Sequence, residues 1–119
     1  MPMHLADVPE LLPLPSATFH ILLAVSAEPR HGYAIIQDVA GRTRGALRLS
    51  AGTLYRSIAR MVEQGPIIET AKRRTAEDDE RRRYYRITPF GTAVARAEMH
   101  RLTELVRLAR ASGLTPEPA

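Results

Sequence analysis

The chain has 119 residues, 45% of them hydrophobic, which suits one domain with a single modest core. It contains no cysteine, so disulfides, thiolate metal sites and cysteine nucleophiles are excluded. Lys and Arg number 17 against 13 acidic residues, a net charge of +4, and Lys72 is the only lysine. The arginine fork suits phosphate and guanine edges. A GC-rich genome enriches arginine as well, so the distribution of charge carries more than its total. No apolar run approaches the roughly 18 residues of a membrane span. With Asp7 and Glu10 set among prolines, the N-terminus lacks the layout of a signal peptide, and the expectation is a soluble, cytoplasmic protein.

Residues 1–15 hold four prolines and read as an extended arm whose Leu5, Val8, Leu11 and Leu12 lie against something. Ser16 is placed to cap a first helix to about Ala27, with Phe19, Leu22, Leu23 and Ser26 as its stripe. Glu28-Pro29-Arg30-His31-Gly32 breaks the pattern as a turn. A second helix, about His31 to Gly41, is expected to bury Tyr33, Ile36 and Ala40. After a connection rich in Gly and Arg, Ser50 caps a third helix, Ala51 to Gln64, which Gly65-Pro66 ends. Two β-prone runs, Ile67 to Ala71 and Arg83 to Ile87, flank a charged tip and predict a hairpin. Thr88-Pro89 opens a last helix to about Ser112, ended by Gly113. The fold class that follows is α+β and mostly helical, a winged helix-turn-helix domain over 16–88 with a long C-terminal helix over 89–112 and a tail over 113–119.

Three features carry function. In the third helix Leu54, Ile58, Met61 and Val62 fall on one side and face the core, while Arg56 and Arg60, with Gly52, Thr53 and Ala59, fall roughly opposite. From Val39 to Val62 there is no acidic residue, and Arg42, Arg44, Arg48, Arg56 and Arg60 lie in that stretch. Such a helix fits a major groove; an ordinary solvated face is the bland alternative. In the hairpin, Lys72, Arg73, Arg74, Arg81, Arg82 and Arg83 flank Glu77, Asp78, Asp79 and Glu80. The basic flanks suit phosphates beside the groove, whereas the acidic tip repels them unless it points away. Along the second strand Tyr85 is the core candidate, and Tyr84 is open to either role. In the last helix Ala95, Met99, Leu102, Val106 and Ala109 form a heptad-like seam that Leu105 and Leu108 widen. A helix this long outruns a three-helix core, and a second copy is the economical cover. Folding back onto its own domain is the alternative.

Catalysis lacks a constellation. His4, His20, His31 and His100 show no metal-ligand spacing, Ser50 and Ser57 have no motif around them, and no phosphate-binding glycine loop is present. No enzymatic activity, metal or cofactor is expected.

Three stretches, with their spacing, resemble the PadR family of bacterial transcriptional regulators in its short form: His31-Gly32-Tyr33-Ala34-Ile35-Ile36, Ser50-Ala51-Gly52-Thr53-Leu54-Tyr55, and Arg83-Tyr84-Tyr85-Arg86-Ile87-Thr88-Pro89-Phe90-Gly91. They span roughly residues 12–112. The resemblance implies a winged helix-turn-helix repressor, dimerised through its C-terminal helix, with Tyr33, Ser50, Thr53 and Tyr55 near DNA and Leu54 in the core. Some relatives bind a small aromatic ligand between subunits; no matching pocket motif and no Trp are visible here. The chain departs from the pattern at Pro66, which intervenes before Ile67-Ile68, and in its longer acidic tip. A register shift at Pro66 would exchange inward and outward side chains.

The expected function is therefore a sequence-specific, homodimeric DNA-binding repressor. It would use Tyr33, Ser50, Thr53, Tyr55, Arg56 and Arg60 in or near the groove, and Arg73, Arg74, Arg81 and Arg82 on phosphate. Ala95, Met99, Leu102, Leu105, Val106 and Ala109 would form the dimer seam. The alternative is a winged-helix module whose basic face meets an acidic protein partner without reading DNA sequence.

Overall fold

A computed structural model describes residues 5–70 and 83–116. A 3-10 helix (Leu5–Leu11) precedes α1 (Ser16–Ser26), β1 (Arg30–His31), α2 (Gly32–Arg42), α3 (Ala51–Gln64), β2 (Ile67–Thr70), β3 (Tyr84–Ile87) and α4 (Pro89–Ala111). The strands form one antiparallel sheet in the order β1-β3-β2. The mostly helical α+β arrangement expected from the sequence is the one found.

The arm is not extended as expected. Residues Leu5–Leu11 wind into a 3-10 helix that packs on α4, with Val8 buried and Leu11, Leu12 and Leu14 half-buried against the core. Pro15, not Ser16, occupies the N-cap of α1, and its carbonyl accepts from the Phe19 N–H at 3.1 Å. The buried residues of α1 are Ile21, Leu22, Ala24 and Val25, while Ser26 is exposed, so the predicted stripe is only partly right. The helix runs through the middle of the domain against α2, α3, α4 and β3, and a helix surrounded on most sides has no single apolar face to read.

Helix α2 buries Gly32, Ile35 and Val39; Ile36 and Ala40 are half-buried, and Tyr33 is 64% exposed. Its inward face is thus rotated by one residue from the expectation. The reason lies at its start. The region read as a turn holds β1, whose Arg30 and His31 pair with Tyr85 and Tyr84, and the His31 side chain caps α2 by accepting from the Ala34 N–H at 3.3 Å. Arg30 clamps the corner, with Nε donating to the Ala24 carbonyl at 2.6 Å and Nη2 3.5 Å from both Glu28 and Asp38.

Pro66 does not disturb the sheet. Gly65 takes φ +108°, a conformation suited to glycine, and its N–H donates to the Met61 carbonyl at 2.9 Å to end α3. Pro66 is buried, and its carbonyl accepts from the Thr88 N–H at 3.0 Å. The strand then begins at once, with Ile67 opposite Ile87 and Ile68 opposite Arg86, so Ile67 faces the core and Ile68 faces out. The Thr88 hydroxyl donates to the Gly65 carbonyl at 2.6 Å and accepts from the Gly91 N–H at 2.9 Å, joining the end of α3 to the start of α4. A β-carbon at Gly91 would overlap the Pro66 carbonyl, which is why this close crossing needs glycine.

The first half of α4 buries Phe90, Gly91, Val94 and Glu98. Glu98 is 3% exposed and forms a two-pronged pair with Arg101, at 2.7 and 2.8 Å. The Arg101 hydrogen bonds, assisted by one from the Leu14 backbone and opposed by burial, hold the Glu98 carboxyl below the usual glutamate range. A carboxyl depressed in the folded state stabilises above its unfolded pKa, and that contribution is lost as pH falls through the folded value. Melting temperature should therefore drop on the acid side of the glutamate range. Glu98→Gln should melt lower at neutral pH and show a shallower acid limb. An unchanged acid limb would mean that this pair does not anchor the arm to α4.

Candidate nucleic-acid interface

Local signals set the boundaries of α3. The Ser50 hydroxyl accepts from the Thr53 N–H at 3.1 Å, satisfying one free donor of the first turn as an N-cap does. At about 100° per residue, the buried Leu54, Ile58 and Met61 define the inward side. Opposite them lie Gly52, Arg56, Ala59 and Glu63, all exposed. Arg60 and Thr53 occupy one flank of this outer face, and Tyr55 and Val62 the other. Val62, expected in the core, is 41% exposed because its direction falls on the Tyr55 flank.

The outer face has space and free charge. A β-carbon at Gly52 would meet no atom of the chain within 4 Å, so no packing within the chain demands glycine there. Arg56 and Arg60 make no ion pair among the described residues, whereas Arg30 and Arg42 are paired with acids, Arg42 Nε lying 2.6 Å from Asp38. Glu63, which the sequence reading passed over, marks the end of the basic face and confines it to the first three turns of the helix. A projection at helical pitch carried one residue further shows it.

Tyr55 leans from α3 toward α2, where a β-carbon at Gly32 would collide with its hydroxyl. It thereby brings the two motifs of the resemblance together, beside the exposed Tyr33. Tyr85 lies beneath: burial, then the charges of Glu69 and Tyr55, raise its phenol above the usual value, and Arg83 lowers it in part. Tyr84, left open by alternation, is buried and meets the His31 ring edge-on at 5.4 Å. The other flank of α3 borders the arm, where Arg60 lines a cleft of about 160 Å³ with Glu10, Leu11, Thr18 and Gln64. Arg73, Arg74, Arg81 and Arg82, together with the acidic tip Glu77 to Glu80, lie outside the described residues.

Of the seam expected on α4, Ala95 is half-buried against its own core and Ala109 is half-buried further out. Met99, Leu102, Leu105 and Val106 are exposed, as is Leu108. Leu105 points in the direction of the buried Phe90, Val94 and Glu98, at about 100° per residue. The apolar side of α4 therefore continues past the domain and is left uncovered. The described residues measure 54 Å along their longest axis against 23 Å along the shortest.

Three helices, the third capped and basic on its outer face, followed by two antiparallel strands, define a winged helix-turn-helix protein. The sequence pattern of the "Transcriptional regulator PadR-like family" matches residues 21–97, and the chain belongs to that family. An uncharacterized protein of Lysinibacillus sphaericus is 34% identical over 87 residues, 73% of this chain and 72% of its own length. The fold is similar to that of a transcriptional regulator from Clostridium thermocellum, at 25% identity and a TM-score of 0.68 over 83% of this chain and 90% of that one. It is also similar to that of a PadR-like transcriptional regulator from Bacillus cereus, at 19% identity and a TM-score of 0.68 over 93% and 99%. The chain is accordingly a transcriptional regulator and not an enzyme. Among the described residues no helix is long and apolar enough to cross a membrane.

Proposed function

We propose that the chain is a homodimeric, sequence-specific DNA-binding repressor. The first three turns of α3 enter the major groove, and the far half of α4 joins two copies. Arg73, Arg74, Arg81 and Arg82 between β2 and β3 meet phosphates beside that groove.

One observation carries this reading: Arg56 and Arg60 are exposed on the outer side of a helix with a buried inner side, and among the described residues neither has an acidic partner. Desolvating two unpaired guanidinium groups is favourable where base edges and phosphates replace water, and arginine meets guanine O6 and N7 with two bonds. Two-fold pairing presents two such helices to a palindromic site, with half-sites about 34–36 Å apart.

The test is fluorescence-anisotropy binding to DNA from upstream of the protein's own gene and to a scrambled fragment, near physiological salt. A preference of about a thousandfold or more is expected. Equal, weak binding to both, together with tight capture by an acidic protein surface, would favour an interaction module instead.

A further inference from the structure

The connection between α2 and α3 carries two arginines that the groove-facing set leaves out. Arg44 takes φ +52° and is followed by Gly45 at φ +79°, two successive left-handed residues. A non-glycine residue there costs about 1–2 kcal/mol relative to the ordinary conformation, so a position that keeps arginine in this turn invites a reason. The turn is firmly built. Gly45 N–H donates to the Ala40 carbonyl at 2.7 Å, and the Thr43 hydroxyl donates to the Val39 carbonyl at 2.8 Å while accepting from the Leu47 N–H at 3.0 Å.

Beyond the turn burial alternates: Leu47 is half-buried, Arg48 exposed, Leu49 buried and Ser50 exposed. Arg48 thus emerges on the outer side, two residues before the cap of α3. Its guanidinium lies across Gly45, where a β-carbon would come within 2.9 Å of Nη2, so the side chain is already held in place. Arg44 and Arg48 form no ion pair among the described residues, unlike neighbouring Arg42. The nearest acids in sequence, Asp38 and Glu63, lie at the far sides of α2 and α3.

We propose that Arg44 and Arg48 are a second contact to duplex DNA, gripping backbone phosphates next to the N-terminus of α3, separate from the residues that read bases. The inference rests on the proposed DNA-binding function and adds a surface to it. Phosphate contacts set affinity and its salt dependence without adding sequence preference. A guanidinium ordered before binding loses less freedom on contact.

The experiment compares wild-type protein with Arg44→Gly/Arg48→Gln, titrating operator and scrambled DNA at several salt concentrations. Arg44→Gly removes charge at a position where glycine is conformationally at ease, so melting temperature should hold or rise. Each lost phosphate contact lowers the slope of log K against log salt by about 0.9, giving a fall of about 1.8. Affinity should drop for both DNAs while their ratio stays the same, and Arg48→Lys should keep most of the slope. An unchanged slope in a folded variant overturns the proposal. A wild type with no sequence preference whose slope still falls in the variant would sustain the loop contact and overturn the specific-repressor reading instead. A wild type that binds neither DNA overturns both.

Discussion

Replacing Arg56 and Arg60 with alanine should abolish the preference for operator over scrambled DNA while leaving the folded domain intact. The two side chains leave α3 on its outer face and its arm-side flank, outside the Leu54, Ile58 and Met61 side that packs the core. Exposed substitutions of this kind shift stability by about 0.5 kcal/mol or less, and alanine favours the helix over arginine slightly. A two-bonded contact to a base is worth about 1–3 kcal/mol. Losing two of them weakens specific binding by at least roughly thirtyfold, with little change on scrambled DNA beyond the lost charge. Anisotropy titrations of both DNAs with both proteins read this directly, and circular dichroism checks the fold. An unchanged operator affinity would move the reading surface off α3. A uniform loss on both DNAs would assign these arginines to phosphate rather than to bases.

Leu102→Glu with Val106→Glu should convert the protein to monomers. Leu102 is 37% exposed and Val106 51%, on the half of α4 that extends past its own domain. Burying an aliphatic side chain of this size contributes about 1.5–3 kcal/mol. In a two-fold dimer each substitution acts twice, placing four carboxylates in an apolar seam, where an unpaired charge is far costlier than a lost methyl group. Sedimentation velocity should then report the 13.2 kDa chain in place of a species of twice that mass. Helical content should be retained, because the first half of α4 keeps its own contacts through Phe90, Val94 and Glu98. The monomer should also lose operator affinity, since only one reading helix remains for a two-part site. A dimer that survives both changes would place the interface elsewhere on the molecule.

The two arginine surfaces make separable contributions. Arg56 and Arg60 should govern the ratio between operator and scrambled DNA, whereas Arg44 and Arg48 should govern the response to salt on both. The sorting rests on which arginines are already committed. Arg30 and Arg42 share Asp38 and hold the corner between α1 and α2, and Arg101 serves Glu98. Their charges are spent inside the fold.

The elements legible in the sequence are those whose signals are local. Ser50 and Gly65 bound α3, and Thr88-Pro89 opens α4, because a cap satisfies backbone groups within one turn of itself. The outer face of α3 followed from the same residues, since its inner stripe is narrow and its outer side is polar. Long-range contacts decided the rest. Strand β1 has two residues and exists only through its pairing with β3, more than fifty positions away. That pairing sets where α2 begins, rotates Tyr33 out to solvent and turns Ile35 inward. Helix α1 is apolar over most of its surface, so only its neighbours determine which side chains are fully buried. The arm curls into a 3-10 helix against α4 because its leucines find an apolar surface there that no local pattern announces. Composition and capping determined that this chain forms helices, a basic reading face and a long arm; tertiary packing decided how each helix is rotated, because burial is a property of surfaces brought together from distant parts of the chain.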